Sequence, residues 1–403
     1  MHTLKNKKVC FETYGCTFNF ADTEKLKEIA LSAGCITADA DDCDAVVINT
    51  CTVVSQTERA MIKAIREYDD REVYVTGCMP VVQKELLLSV RPDIHIILPE
   101  EIYRCSERAG AIVDKRTGIL QMGTGCLGRC AYCITRHARG RLKSFDRSLI
   151  LKEAERLINC GASELQLTGQ DVSAWGYDKG EDLSVLLHDL NEIEGNFAVR
   201  VGMMNPATVI PILDRLVPAF NLEKIYSFVH MPVQSGSDNV LMTMQRGYTA
   251  SQFVKVVDEF RKQIPDVRIS TDFIVGYPTE TENDFERTIE LLNRTKPTKV
   301  NITRFSVREN TPAAAYKDMP DWIKKNRSRA LTIAANEIYD ENNEKMIGKK
   351  ISAAVTEQKK SGTVIARDKS YNNIIIKEDI PIGTMLDAVI ISHKRHYLIA
   401  QRV

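Results

Sequence analysis

Over the first hundred residues, short β-branched runs alternate with stretches of helical period: KKVCFETYG, DTEKLKEIALSAG, AVVINTC, QTERAMIKAIREYD and REVYVTGC. Strand, helix, strand, helix, strand at this spacing predicts a parallel sheet with crossover helices. Residues 80–116 read as its closing helices and exit. From Gly118 the alternation restarts. Strands are predicted near 118–122, 163–168, 197–203, 225–231, 267–275 and 299–305, each but the last followed by a helical stretch. Six such units predict a partial or open α/β barrel, because right-handed crossovers curl a parallel sheet.

The pattern changes after Pro320. A long helical stretch, WIKKNRSRALTIAANEIYDENNEKMIG, leads into KKISAAVTEQ, GTVIARD, YNNIIIK, TMLDAVIIS and HYLIAQRV, separated by turn residues. Five short strands in so small a space predict a compact β-barrel of the oligonucleotide-binding type. The chain is therefore expected to be α/β in class, with parts at 1–116, 117–340 and 341–403.

Composition agrees with this and excludes several classes. At 403 residues, 44% hydrophobic and 27% charged, the chain is neither disordered nor a fibrous repeat, and it exceeds what one core usually organises. No apolar run approaches a bilayer span, and MHTLKNKKVCFETYGC lacks the apolar core of a secretory signal. A cytoplasmic protein without a membrane partner is the expectation. The formal net charge of zero hides an asymmetry: residues 1–115 carry 14 Lys and Arg against 19 Asp and Glu, whereas residues 341–403 carry 11 against 7. The C-terminal part is the better nucleic-acid candidate, though a solvated surface has the same signature.

Eleven cysteines in a reducing compartment point to metal binding, catalysis or burial rather than disulfides. Cys126, Cys130 and Cys133 are spaced CxxxCxxC on one loop just beyond the first predicted barrel strand. Three thiolates can hold three irons of a [4Fe-4S] cube and leave the fourth open, and the carboxyl end of such strands is where these sheets keep their active sites. Zinc is the competing metal, with His137 available as a fourth ligand.

A second trio is remote in sequence. Cys16, Cys51 and Cys78 each sit just beyond the carboxyl end of a different predicted parallel strand, so a parallel sheet would bring all three to one edge. A second cluster with an open iron is expected there; coincidental burial of three thiols is the bland reading. For Cys10, Cys35, Cys43, Cys105 and Cys160, burial is the default.

GCLGRCAYCITRHARG resembles the radical S-adenosylmethionine (SAM) motif of the methylthiotransferases, and the Cys16, Cys51, Cys78 trio matches the auxiliary-cluster cysteines of that family. TYGCTFNFADTE, LTGQDVSAWG, HMPVQSGSD with MQRGYT, TDFIVGYPTET and RFSVRENTPAA fit in order, and the C-terminal barrel is similar to a TRAM domain, an RNA-binding module. Within the family, ITRHARG and LTGQD resemble the archaeal and eukaryotic branch acting on N6-threonylcarbamoyladenosine (t6A).

The resemblance implies a transferase that methylthiolates carbon 2 of t6A at position 37 of tRNA, using two [4Fe-4S] clusters and two SAM. At one cluster SAM would be split to a 5′-deoxyadenosyl radical; at the other a sulfur would be methylated and delivered. Tyr132 resembles the aromatic against the SAM adenine, and Gly169 and Gln170 sit where the family's loop meets the SAM amino group. Arg200 is a candidate for the SAM carboxylate, bidentate as Lys is not, with an internal ion pair as the alternative. Gln234, Ser235 and Ser237 form a loop that holds the ribose or caps the next helix. No catalytic residue beyond the cluster ligands is identified.

Extracting a base from the anticodon loop suits an adjacent RNA module. Lys349, Lys350, Lys359, Lys360, Lys394 and Arg395 would grip phosphates, with Tyr371 or Tyr397 stacking on a base or filling the barrel core; Arg136, Arg139 and Arg141 would meet the tRNA backbone or form surface ion pairs. A reductant such as flavodoxin or ferredoxin and a sulfur donor are implied partners. The alternatives are a methylthiotransferase for isopentenyladenosine or a ribosomal protein, and a non-catalytic iron-sulfur RNA-binding protein.

Overall fold

The computed structural model describes residues 5–53, 55–68, 70–106, 108–113, 116–360 and 362–403. The chain forms two compact units. The first comprises residues up to Glu181 with Ile193–Phe197 and Ser306–Ala314; the second comprises Asp182–Glu192, Ala198–Phe305 and Ala315–Val403.

In the first unit, strands β1 (Lys8–Thr13), β2 (Ala45–Thr50) and β3 (Glu72–Gly77) pair in parallel, with short edge strands Ile36–Thr37 and His95–Ile96 outside them. Every residue of β2 is buried, as a central strand covered on both faces requires. Val46, Ile48, Val73 and Val75 pack with Met61 and Ile65 of helix α2 (Ser55–Glu67). Val9, Val47 and Tyr74 pack on the other face with Leu26 and Ala30 of helix α1 (Thr17–Ser32). Each such aliphatic burial contributes about 1.5–3 kcal/mol. The register pairs Thr13 with Asn49 and Thr50 with Gly77, so the three carboxyl ends are level.

Helix α1 is not an ordinary amphipathic helix, since its buried residues include Asn19, Asp22, Thr23 and Lys25. They face a polar network. Arg139, at the end of helix α3 (Thr135–Arg139), donates to Asp22 Oδ2 at 2.7 Å and to Asn19 Oδ1 at 2.8 Å. Gln121 and Tyr103 donate to the other Asp22 oxygen at 2.8 and 2.9 Å. The ion pair is almost fully enclosed, with side chains 2% and 1% exposed.

Strands β4 (Gly110–Ile112) and β5 (Thr117–Gln121) form an antiparallel pair, and β5 pairs in parallel with β6 (Glu164–Thr168). β4 lies where closing helices were expected; three residues, Gly-Ala-Ile, carry no strand signal of their own. The other barrel strands appear as Ala198–Arg200, Phe228–His230, Arg268–Val275 and Lys299–Arg304, in the expected places.

In the second unit, β7 (Phe228–His230), β8 (Arg268–Val275) and β9 (Lys299–Arg304) are parallel neighbours. Helix α4 (Ala250–Gln263) starts at a Thr249–Gln252 capping box and helix α5 (Glu282–Thr295) at a Thr281–Asp284 box, which satisfies otherwise orphaned amides. The long helix α6 (Asp321–Glu344) lies along β9, whose edge Val300 N–H donates to Tyr339 Oη at 2.6 Å. Strands Lys350–Lys360, Thr363–Asp368, Ile374–Ile376, Tyr397–Arg402 and Met385–Lys394 close into the expected barrel around Val355, Val364, Ile374, Leu386 and Leu398. Among the described residues no helix is long and apolar enough to cross a membrane.

Two substitutions probe this frame. Gly77 has φ +90°, and a Cβ there would lie 2.3 Å from Thr50 O and 2.4 Å from Asn49 Oδ1. Gly77→Ala is expected to cost more than about 2 kcal/mol, read as a lower urea midpoint at unchanged slope. Asp22→Ala leaves the Arg139 charge buried without its partner, and a loss of about 3–5 kcal/mol is expected in the same measurement.

Candidate functional site

The level strand ends bring the N-terminal cysteines together. Cys51 and Cys78 follow Thr50 and Gly77 directly, and Cys16 caps α1 two residues beyond Tyr14. Gly15, with φ +115°, lets this turn close on Cys51: a Cβ would sit 2.7 Å from Cys51 Cβ and 3.2 Å from its Sγ. Asn19 fastens the turn, donating to Tyr14 O at 2.9 Å and Thr50 O at 3.0 Å. Cys16 is exposed while Cys51 and Cys78 are buried.

The three thiols sense one another. Burial pushes Cys78 up to about 11; the Arg139 charge and hydrogen bond oppose this, and Cys51 and Cys16 add to it. Cys51 is pushed up chiefly by burial, with the Val53 and Thr52 amides and Arg139 working the other way and Cys16 adding to the rise. Backbone N–H groups and a guanidinium aimed at sulfur are what a thiolate ligand needs.

The second trio is built differently. Gly125, with φ +73°, passes so close to the returning chain that a Cβ would lie 2.0 Å from Arg141 O. The Cys126 N–H donates to Gly140 O at 3.2 Å and the Cys133 N–H to Cys130 O at 3.1 Å. The Gly128 N–H donates to Cys126 Sγ at 3.3 Å. Burial first, then Asp171, pushes Cys126 up to about 12, with Cys133 and Cys130 adding to it. Cys133 is raised by burial and Cys130, against the Arg136 and Thr135 amides. Arg136 Nη1 donates to Gly128 O, and Ala313 N–H donates to Ala131 O at 2.9 Å. The segment RENTPAA thus braces the loop, and Arg308 within it pairs with Glu58 at 2.5 Å.

Among the described residues, no three His, Cys, Asp or Glu side chains converge as a single metal ion would require. That disfavours a closed zinc site, and His137 lies exposed on α3. A cube, in which each cysteine holds its own iron, places no such demand.

The expected SAM contacts fare unequally. Gly169 and Gln170 follow β6, and the Gln170 amide oxygen is buried without a hydrogen-bond donor. Gln234, at φ +74°, has a buried amide oxygen in the same condition. Unmatched buried acceptors of this kind suit a ligand's amino groups. Ser235 and Ser237 are fully buried and face the protein: Ser237 Oγ donates to Asp284 Oδ1 at 2.5 Å, and Ser235 Oγ lies 3.4 Å from Thr288 Oγ1. Tyr132 is half-buried between the cluster cysteines. The Arg200 guanidinium lies over Phe228 at 5.3 Å and Tyr371 at 5.4 Å, with no internal ion pair among those described.

Two expectations are corrected. Arg139 does not face a tRNA backbone, because its side chain is enclosed with Asp22. Cys105 and Cys160 are exposed rather than buried. Of the basic residues of the last part, Lys349 lies beside Asp266, Lys359 beside Glu357 and Arg395 beside Asp340, all at the surface; the side chain of Lys360 lies outside the described residues. Asp22, Asn19 and Asp171 were not singled out from sequence. Nor was the His230–Asp272 pair at 2.9 Å, where Asn301 also donates to Asp272 at 2.7 Å.

Comparison with known proteins agrees with this geometry. The Radical SAM superfamily matches residues 120–292, and the Uncharacterized protein family UPF0004 matches residues 8–99. The radical SAM methyltransferase TsrM of Kitasatospora setae, solved with cobalamin and a [4Fe-4S] cluster, shares the fold at TM-score 0.53 and 14% identity, over 76% of this chain and 74% of that one. A protein of Archaeoglobus fulgidus named "Probable threonylcarbamoyladenosine tRNA methylthiotransferase" is 40% identical over 98% of both chains. The threonylcarbamoyladenosine tRNA methylthiotransferase of Danio rerio is 32% identical over 97% of this chain and 78% of its own length. With identity of this order along nearly its whole length, the chain belongs to the threonylcarbamoyladenosine tRNA methylthiotransferase family.

Proposed function

We propose that the chain methylthiolates carbon 2 of t6A at position 37 of tRNA, with SAM and two [4Fe-4S] clusters, one on Cys126, Cys130 and Cys133 and one on Cys16, Cys51 and Cys78. The observation that carries this reading is the meeting of Cys16, Cys51 and Cys78 at one edge of a parallel sheet, in a chain whose relatives are named for this reaction. Bound at these trios, one cluster would supply the electron for SAM cleavage and the other an open iron to carry the sulfur that a separate donor provides.

The chain's own contribution is placement and charge. The Gly128 amide at Cys126 and the Thr135 and Arg136 amides at Cys133 stabilise thiolate sulfur. Arg139 does so at Cys78, and Asp22 holds that guanidinium in place. The Gln170 amide oxygen accepts from the SAM ammonium and Gly169 lets the ligand approach the backbone, with Tyr132 along the adenine. Gln234 offers the second unmatched oxygen, and Ser235 and Ser237, tied to Thr288 and Asp284, hold the shape of its loop. Arg200 leaves this set, because it lines a cavity with Arg268 and Lys299, at the amino ends of the neighbouring strands rather than at the loops beyond their carboxyl ends. The division at 1–116, 117–340 and 341–403 assigns one part to each cluster and the last to RNA, with a flavodoxin or ferredoxin as reductant and a separate sulfur donor.

Mass spectrometry of tRNA nucleosides after incubation with SAM, sulfide and reductant is expected to yield the 2-methylthio derivative of t6A. Product from another adenosine instead would reassign the substrate. Anaerobically reconstituted chain is expected to hold about eight irons, two cubes of four. Replacing Cys16, Cys51 and Cys78 together by Ala should lower this to about four and abolish methylthiolation while SAM cleavage persists; full iron in that variant overturns the second cluster.

A further inference from the structure

A cavity of about 570 Å³ in the second unit is lined by Arg200, Arg268, Lys299, Arg367 and Arg395 without one Asp or Glu. It lies at the amino ends of β7, β8 and β9, since Phe228, Arg268 and Lys299 each open their strand. Such sheets keep their chemistry at the opposite, carboxyl ends, so this is not the cofactor loop.

The loop between Asp368 and Ile374 forms one wall and is firmly docked. Ser227 N–H donates to Lys369 O at 2.8 Å, Arg268 Nη1 to Tyr371 O at 2.8 Å, and Ser370 Oγ to Asp266 O at 2.8 Å. Tyr371 adopts φ +60°, a conformation costly for a bulky residue and held only where surroundings fix it. It lies between two guanidiniums, Arg367 at 4.2 Å from the ring centre and Arg200 at 5.4 Å. Arg200 Nε is buried without an acceptor. Carboxylates near them are few: Glu357 lies 3.4 Å from Arg367 and Asp340 3.6 Å from Arg395, Asp368 acts on Arg268 and Asp272 on Lys299, and Arg367 also donates to Asn373 Oδ1. Lys299 is held below the usual lysine range by the walls around it and then by repulsion from Arg200 and Arg268, with Asp272 opposing them. Five cations in one cavity with fewer carboxylates around them are a ready-made anion site. The ring of Tyr397 and the amide groups of Asn301 and Asn373 on the same walls add what a base needs for stacking and edge contacts.

We infer that this cavity takes the phosphate and base of one unpaired nucleotide of the substrate RNA, at the far ends of the strands from the base to be modified. The phosphate lies among Lys299, Arg200 and Arg367, and the base against Tyr397 and the amides. This deepens the reading above, and rests on it for the identity of the RNA. It differs from a gripping outer surface on the C-terminal barrel, because strands of the central layer supply Arg200, Arg268 and Lys299.

The test measures binding without turnover. Reconstituted full-length protein is titrated with a fluorescent anticodon stem-loop RNA at several KCl concentrations, for wild type, Lys299→Gln, Arg367→Gln and the double variant. Arg268 is left intact because it anchors the Tyr371 backbone. Each single change is expected to weaken binding several-fold, and the double change about tenfold or more, with the salt slope falling by about one per lost phosphate contact. Iron content and SAM cleavage without RNA should stay as in wild type. Unchanged affinity and slope in the double variant would overturn the assignment. Adenosine monophosphate is titrated in parallel; saturation at micromolar concentration, lost in the double variant while RNA binding is intact, would make the site one for free nucleotides and equally overturn it. A wild-type enzyme that yields no 2-methylthio product would sink the activity reading alone, since the binding comparison does not depend on turnover.

Discussion

The first unit depends on a single enclosed ion pair, Asp22 with Arg139. Asp22 lies six residues after Cys16 and Arg139 six after Cys133, so the pair ties the two cysteine loops of this unit to one point. Burying both charges is expensive and is offset only when the remaining hydrogen-bond capacity is filled. Here Tyr103 and Gln121 fill the Asp22 carboxylate and Asn19 takes the other arm of Arg139. A well-packed apolar pair would serve stability about as well. What it could not supply is a fixed positive charge beside Cys78, opposing the burial that otherwise keeps that thiol protonated.

Backbone geometry sets the second constraint. Cys16, Cys78 and Cys126 each follow a glycine with positive φ, Gly15, Gly77 and Gly125, and at each a Cβ would collide with a neighbouring strand or loop. A ligand loop must turn sharply off its strand and still lie against the adjacent one, and only glycine does both at low cost. Cys51 needs no such device because it continues the extended run of β2.

The parallel strands and the three-to-one convergence of Cys16, Cys51 and Cys78 were legible because both follow from period and from where each strand stops. The closed C-terminal barrel was legible for the same reason. What escaped was whatever tertiary context decides. Arg139 reads in sequence as one of three exposed arginines, and only the buried Asp22 on a remote helix turns it inward. Ser235 and Ser237 read as a ligand loop, but Asp284 and Thr288 of α5, some fifty residues on, claim their hydroxyls. Strand β4 exists only because β5 offers it an edge. Tyr371 reads as a core or stacking residue, and its place between two guanidiniums follows from a loop docking that no local pattern announces.

The second unit sorts its charges along the strands rather than between faces. Arg268, Ser270 and Asp272 alternate with the buried Ile269, Thr271 and Phe273 and so share one face of β8. Along that face the sign reverses. Asp272 sits with His230 and Asn301 farther along the strands, whereas Arg268 and Lys299 crowd the amino ends. Pairing Arg268 or Lys299 directly with a carboxylate of the same face would have been the simplest way to stabilise the fold, and that face has one in Asp272, four residues along from Arg268. Asp272 is instead held by His230 and Asn301 and acts on Lys299 only through space, as Asp368 does on Arg268. A sheet whose cations outnumber the carboxylates around them keeps an anion site open at the expense of its own stability, the kind of local cost that persists where binding requires it.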